Sequence, residues 1–151
     1  RHFGNILESD SAKQIINKPG SGAAGGLGAG LMAFCNAKLL PGFNIISELV
    51  QLEKAIGESD LVFTGEGKLD FQTKFGKVPF GVAQMAKKMK KPVIGIAGTL
   101  GKDYQELYKY GFKHIFSISE GIESLEYSIV NAENLLIKAS EKIISSNFID
   151  L

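Results

Sequence analysis

Leu61-Val62-Phe63-Thr64-Gly65-Glu66-Gly67-Lys68-Leu69-Asp70-Phe71-Gln72-Thr73 opens as an apolar run and then breaks into glycine, acid, base, hydroxyl and amide. The run with its Val and Phe reads as a buried strand over Leu61–Thr64, followed by a polar loop over 65–75. Gly65 and Gly67 free the backbone to turn sharply and let a ligand come close. Glu66 and Asp70 are carboxylates of the kind that hold Mg²⁺ or accept a hydroxyl proton. Taken alone, the same residues also describe a solvated turn.

Working outward, the pattern repeats. Val78, Val82, Met85 and Met89 recur at helical spacing, and Pro79 fits the first turn, where its missing N–H costs nothing. Pro92 precedes Val93-Ile94-Gly95-Ile96-Ala97, a near-continuous apolar strand suited to a sheet covered on both faces. A small polar loop (98–103), a short helix near Tyr104–Tyr110 stopped by Gly111, and a strand over His114–Ser119 come next. Then come Glu120-Gly121-Ile122-Glu123 and one long helix from Ser124 to Ser145, striped by Leu125, Ile129, Ala132, Leu136, Ala139 and Ile143. Before the first strand, Ser47 can cap a helix carrying Leu49, Leu52 and Ile56 that stops at Gly57.

Strand, loop and helix in alternation imply right-handed crossovers and parallel strands. The loops 65–75, 98–103 and 120–123 then share the carboxyl edge, where open α/β sheets bind ligands. That placement singles out Glu66, Lys68, Asp70 and Gln72, and puts His114 at the opposite edge in a structural or solvated role.

Further upstream, Pro19-Gly20-Ser21-Gly22-Ala23-Ala24-Gly25-Gly26-Leu27-Gly28-Ala29-Gly30 leads into a helical stretch that Pro41-Gly42 ends. Residues 20–25 formally match G-x-G-x-x-G. No Val/Ile-rich strand precedes Gly20, and no acid lies at the right distance beyond, so the dinucleotide reading fails. Two readings remain: N–H groups entering a helix that suit phosphate or carboxylate, and close helix packing.

The 151 residues suffice for a domain with a real core, and 22% charged residues with a net charge of +1 offer nothing to nucleic acid or acidic membranes. Lys87, Lys88, Lys90 and Lys91 cluster at a helix end, where the dipole favours cations. No apolar run reaches the roughly 18 residues of a membrane span. The single cysteine, Cys35, excludes an internal disulfide and suits a reducing cytosol; its apolar surroundings make it a small buried hydrophobe. Arg1-His2-Phe3-Gly4 has neither an initiator Met nor a signal-peptide pattern, as in a piece of a longer chain.

Three segments, Gly22–Ala29, Thr64–Thr73 and Gly76-Lys77-Val78-Pro79-Phe80-Gly81-Val82-Ala83, resemble in order and spacing the signatures of the bacterial glycerate kinases (the glycerate 2-kinase group). The likeness runs from about Pro19 to the end of the chain. It implies ATP-dependent phosphorylation of D-glycerate at its 2-hydroxyl, with Mg²⁺, in a cytoplasmic two-domain protein more than twice this length. It also implies a three-layer α/β/α Rossmann-like domain interrupted by a second α/β domain. Residues 1–46 are then the tail of the insert, and 47–151 the closing half of the Rossmann-like domain, whose missing N-terminal half is the partner.

By the same resemblance, Asp70 takes the glycerate hydroxyl proton or binds Mg²⁺, and Glu66 is the other metal candidate. Lys68 stabilises phosphate or carboxylate charge as a point cation. Gly65 and Gly67 admit the ligand, Gln72 and Thr73 orient substrate, and the N–H groups around Gly22, Gly25 and Gly26 cradle an anion. Two other readings compete with a kinase fragment. One is a module that binds an organic acid or nucleotide without turnover; the other is a piece that only assembles with its missing half, exposing an apolar sheet edge or face.

Overall fold

The computed structural model describes residues 2–11, 14–119, 121 and 124–146. The chain forms two compact units, Arg1–Gly42 and Phe43–Leu151.

The first unit is a pair of helices, α1 (His2–Ser11) and α2 (Ala23–Cys35). Leu7, Ile15, Ala29, Met32 and Ala33 are its buried side chains, with Leu39 packed against them. Gly4 leaves room for Ile16, whose Cγ1 would lie 2.9 Å from a Cβ there. The Glu8 carboxylate closes the loop by accepting the N–H groups of Ile15 and Ile16, at 2.5 and 2.7 Å. Those two hydrogen bonds hold it below the usual glutamate range.

Helix α2 ends earlier than Pro41-Gly42. Asn36 adopts the left-handed conformation that Asn tolerates, and its N–H and that of Ala37 both reach the Leu31 carbonyl. Cys35 is exposed rather than buried, because the buried face of α2 is Gly28, Ala29, Met32 and Ala33.

The second unit is an α/β structure around a three-stranded parallel sheet in the order β1-β2-β3. Its elements are α3 (Gly42–Leu49), α4 (Leu52–Glu58), β1 (Val62–Leu69), a 3₁₀ turn (Phe71–Lys74), α5 (Val78–Lys88), β2 (Val93–Leu100), a 3₁₀ helix (Tyr104–Tyr110), β3 (Phe112–Ser117), α6 (Leu125–Val130) and α7 (Ala132–Ser145). One core joins Ile56 of α4, Val82, Ala83 and Ala86 of α5, Leu69, Val93 and Ala97 of the sheet, and Leu107, Phe112 and Ile115. The parallel arrangement expected from the alternation of elements is present, and all three strands end on one edge.

Several boundaries differ from the sequence reading, each for a local reason. β1 does not stop at Thr64 but continues through Gly65-Glu66-Gly67 to Leu69, and β2 runs to Leu100 rather than Ala97. Parallel pairing extends the strands as far as Leu69↔Leu100, so the first two loops begin only beyond those residues and are shorter. The expected helix from Ser47 is two helices. Gln51 turns left-handed between them, and Ser47 is buried inside α3, donating its hydroxyl to the Asn44 carbonyl.

The long C-terminal helix is likewise two, with its break at Asn131. The short segment at Tyr104–Tyr110 is 3₁₀, closed by Gly111 at φ 118°. β3 lies two residues earlier than expected, and Glu120, Ile122 and Glu123 of the third loop fall outside the described residues.

Val62 and Leu69 both pack with the core although they stand seven positions apart, an odd step that strict alternation along a strand would send to opposite faces. The ladder passes from Glu66↔Ala97 to Lys68↔Thr99 and skips Gly67 and Gly98. There the two backbones come close: a Cβ on Gly98 would sit 2.6 Å from the Gly67 carbonyl oxygen.

Candidate active site

The carboxyl end of β1 is built around Asp70. Its Oδ1 accepts the Gln72 N–H at 2.9 Å, and its own N–H donates to Thr73 Oγ1 at 3.2 Å, a reciprocal capping box that starts the 3₁₀ turn. The turn after β2 clamps it from the other side. Gly101 N–H donates to the Leu69 carbonyl at 2.8 Å, and Phe71 N–H to the Lys102 carbonyl at 3.3 Å. Asp70 is therefore fixed and largely buried, with Oδ2 left for a charged neighbour. That neighbour is Lys68, whose Nζ stands 3.6 Å away on a side chain that is 58% exposed. At this distance the pair attracts without a close hydrogen bond, so the ammonium can turn to an anion without breaking one.

A second lysine–carboxylate pair lies beside the first. Glu66, inside β1, accepts Lys77 Nζ on Oε1 at 3.2 Å, while its Oε2 is buried with no hydrogen-bond partner. Lys77 is the residue that caps α5, next to Pro79 in the first turn. No role attached to Lys77 in the sequence reading. The signal was its position before a helix-starting proline, but nothing local to it shows that the side chain reaches back to β1.

A third pair, Lys74–Glu106 at 3.1 Å, ties the turn after β1 to the 3₁₀ helix after β2. Their hydrogen bond raises the Lys74 ammonium above its ordinary range and lowers the Glu106 carboxyl below its own.

Glu66 and Lys68 also stand at the rim of a groove of about 940 Å³. Its walls are Phe63 and Ile96 from the sheet, and Leu125, Ile129 and Leu136 from α6 and α7, together with the glycines of β1 and β2. The first part of the apolar stripe, Leu125 to Leu136, thus faces this groove rather than a filled core, which leaves Leu125 and Ile129 exposed, while Ile143 at its far end is buried.

The sequence-selected residues separate accordingly. Gly65, Glu66, Gly67 and Lys68 line the groove; Asp70 joins them through Lys68; Gln72 and Thr73 do not line it. Thr73, expected to orient substrate, is completely buried with its hydroxyl engaged, so it acts on Asp70 and not on a ligand.

Gly22, Gly25 and Gly26 lie in the other unit. Ala24, Gly25 and Gly26 are successively left-handed, at φ 49°, 68° and 99°, and a Cβ on Gly22, Gly25 or Gly26 would meet nothing within 4 Å. The run is open on its outer side, as an anion-binding backbone must be.

Among the described residues no three His, Cys, Asp or Glu side chains gather as a ready-made metal cage, and no helix is long and apolar enough to cross a membrane. A hard divalent cation bound through one or two carboxylates plus substrate oxygens needs no such cage. The orphaned Glu66 Oε2 fits that mode.

Residues 1–147 match the family model for the glycerate kinase family. Glycerate kinase from Halalkalibacterium halodurans is 43% identical over 94% of this chain and 37% of its own length. Glycerate 2-kinase from Escherichia coli is 41% identical over the same shares. A crystal structure assigned as glycerate kinase 2 from Salmonella typhimurium LT2 superposes with a TM-score of 0.64 at 39% identity, covering 93% of this chain and 38% of that one. The chain therefore spans less than two fifths of the length of these relatives.

Proposed function

This chain belongs to the glycerate kinase family, and from that premise we propose that the full-length protein transfers the γ-phosphoryl group of ATP to the 2-hydroxyl of D-glycerate, in the cytoplasm. The products are ADP and 2-phosphoglycerate. Residues 1 to about 42 belong to an inserted domain and the rest to the Rossmann-like one, a division a little before the expected residue 46 that the two compact units support. The remaining length covers the free outer edge of β1 and the apolar groove beside it.

The observation that carries the reading is the fixed Asp70 with Lys68 beside it, at the carboxyl edge of a parallel sheet. Phosphoryl transfer asks little covalent chemistry of a protein; it asks for a positioned nucleophile and for cations against developing charge. Asp70 Oδ2 accepts the proton of the substrate hydroxyl as that oxygen attacks phosphorus and the bond to the ADP oxygen breaks. Lys68 turns its ammonium toward the phosphoryl or carboxylate oxygens. Glu66 offers Oε2 to Mg²⁺, and Lys77 holds the other oxygen of the same carboxylate in place. When bound, Mg²⁺ neutralises charge on the transferring phosphate. Gly65 and Gly67 keep the strand thin where the ligand approaches, Gln72 borders the site, and the Gly22, Gly25 and Gly26 N–H groups suit a carboxylate or phosphate.

The test is a coupled ADP-release assay on the full-length protein. Asp70→Asn should lower kcat by roughly 10²–10⁴-fold, the range for losing a general base, with the KM for ATP within a few-fold of wild type. An unchanged kcat removes Asp70 from the chemistry. ATP·Mg²⁺ binding seen by calorimetry with no ADP formed would favour a non-catalytic binding module.

A further inference from the structure

We propose that Gly101, in the turn after β2, is a positioning residue for Asp70 and Lys68, and that the space where its side chain would be is the space those two charged groups occupy. A Cβ built on Gly101 would fall 2.5 Å from Lys68 Cε, 2.7 Å from Asp70 Cβ and 3.2 Å from Asp70 Oδ2. Side-chain carbons do not approach this closely, so any residue other than glycine must displace something. Lys68 can yield, since its exposed end swings freely. Asp70 cannot yield cheaply, because its carboxylate and the backbone around it are held four ways. Its N–H is on Thr73, its Oδ1 on Gln72, and the Leu69 carbonyl and Phe71 N–H are bonded to the 101–102 turn itself.

A methyl group at 101 therefore has two outlets. It turns the Asp70 carboxylate off the Gln72 N–H, or it pushes the turn away and breaks the bonds to Leu69 and Phe71. Either outlet moves Oδ2 relative to Lys68. No positive φ accompanies Gly101, so the requirement for glycine comes from its neighbours and not from its backbone. This separates it from Gly25 and Gly26. The consequence for turnover rests on the proposed role of Asp70; the shared space does not.

The experiment uses the full-length protein carrying Gly101→Ala, with Gly57→Ala as a control, since a Cβ there meets only Met89 Sδ at an ordinary 3.8 Å. Gly101→Ala should lower kcat roughly 10–100-fold, as expected for displacing a reacting group by about 1 Å. The KM for ATP should stay within three-fold, and Gly57→Ala should match wild type. Independently of activity, hydrogen exchange should quicken about tenfold at the Gln72 amide if the carboxylate turns, or at the amides of residues 71 and 101 if the turn is pushed away.

Asp70→Gly removes the crowded Cβ, so Gly101→Ala added to that background should leave the melting temperature unchanged. The same pair reports even if Gly101→Ala alone fails to fold. Wild-type kcat with unchanged exchange at residues 71, 72 and 101 in Gly101→Ala would overturn the proposal, as would an undiminished loss of stability in the Asp70→Gly background. If the wild-type protein releases no ADP with glycerate, the kinase reading fails, while exchange and melting still decide the role of Gly101.

Discussion

Two glycine-rich stretches, Gly22–Gly26 and Gly65–Gly67 with its neighbours Gly98 and Gly101, look alike on paper and work in different ways. In the first, Ala24, Gly25 and Gly26 curl left-handed, and a Cβ on Gly25 or Gly26 would meet open space, so what they supply is conformation. In the second the backbone is extended or ordinary, and at Gly65, Gly98 and Gly101 the place of the missing side chain is taken by other atoms, whereas Gly67 is open. A Cβ on Gly65 would meet the Ile96 carbonyl oxygen at 2.6 Å, one on Gly98 the Gly67 carbonyl oxygen, and one on Gly101 Asp70 itself. Glycine content alone identifies neither role. The dihedral angle tells the first and the neighbouring strand the second.

The sharpest way to break this comparison is Gly65→Ala. Because the obstructing atom belongs to the ladder of β2, the strands must part, and a loss of about 1–3 kcal/mol is expected from overpacking. A thermal melt of the full-length protein checks it, and an unchanged midpoint would mean the strands are not as close as described. Gly26→Ala should cost somewhat less, roughly 1–2 kcal/mol, the penalty for a Cβ in the left-handed region. There the loss comes from φ alone, so Gly26→Asn should recover part of it, which no substitution at Gly65 can do.

The smallest effect sharpens the first stretch from its other end. Ala24→Gly should be neutral or stabilising by under about 1 kcal/mol, because relief of the left-handed strain is offset by the entropy of an added glycine. Acid titration separates the two units rather than the two stretches. Glu8 is held below the usual glutamate range by the Ile15 and Ile16 N–H groups, so its contribution is present above the unfolded pKa near 4.5 and is lost as pH falls through the lower folded value. Glu8→Gln should flatten that acid slope for α1 and α2, read by their amide exchange, and leave the sheet's exchange profile unmoved.

Much of the fold was legible because it rests on periodicity. The apolar run at Val93 reports burial directly, and the spacing of Val78, Val82, Met85 and Met89 marks the helix although Val82 alone of the four is fully buried. The run at Val62 is only half-buried, with Phe63 51% exposed. Parallel order comes from the alternation of elements. The errors share one cause. Gly65-Glu66-Gly67-Lys68 has poor strand propensity, yet it is strand because β2 lies alongside and supplies every ladder bond. Ser47 looks like a cap and is buried in mid-helix, because Phe43 packs at Gly81 and starts α3 earlier. Leu125, Ile129 and Leu136 read as a core stripe and face a groove, since periodicity tells that a face is apolar and not what covers it.

The candidate site divides the same way. The chemical types of Glu66, Lys68 and Asp70 and their placement near a strand's carboxyl end came from the chain itself. Lys77, Gly101 and the true task of Thr73 did not, because each acts through a residue brought near by the sheet or by a capping turn.

For this protein the linear chain determined the class of fold, the order of its elements and the family to which its motifs belong, all of which are written in local spacing. Tertiary structure alone decided where β1 ends, which lysine serves which carboxylate and which glycines make room for something else. Those outcomes depend on atoms that are distant in sequence and within 4 Å in space, and no local pattern records them.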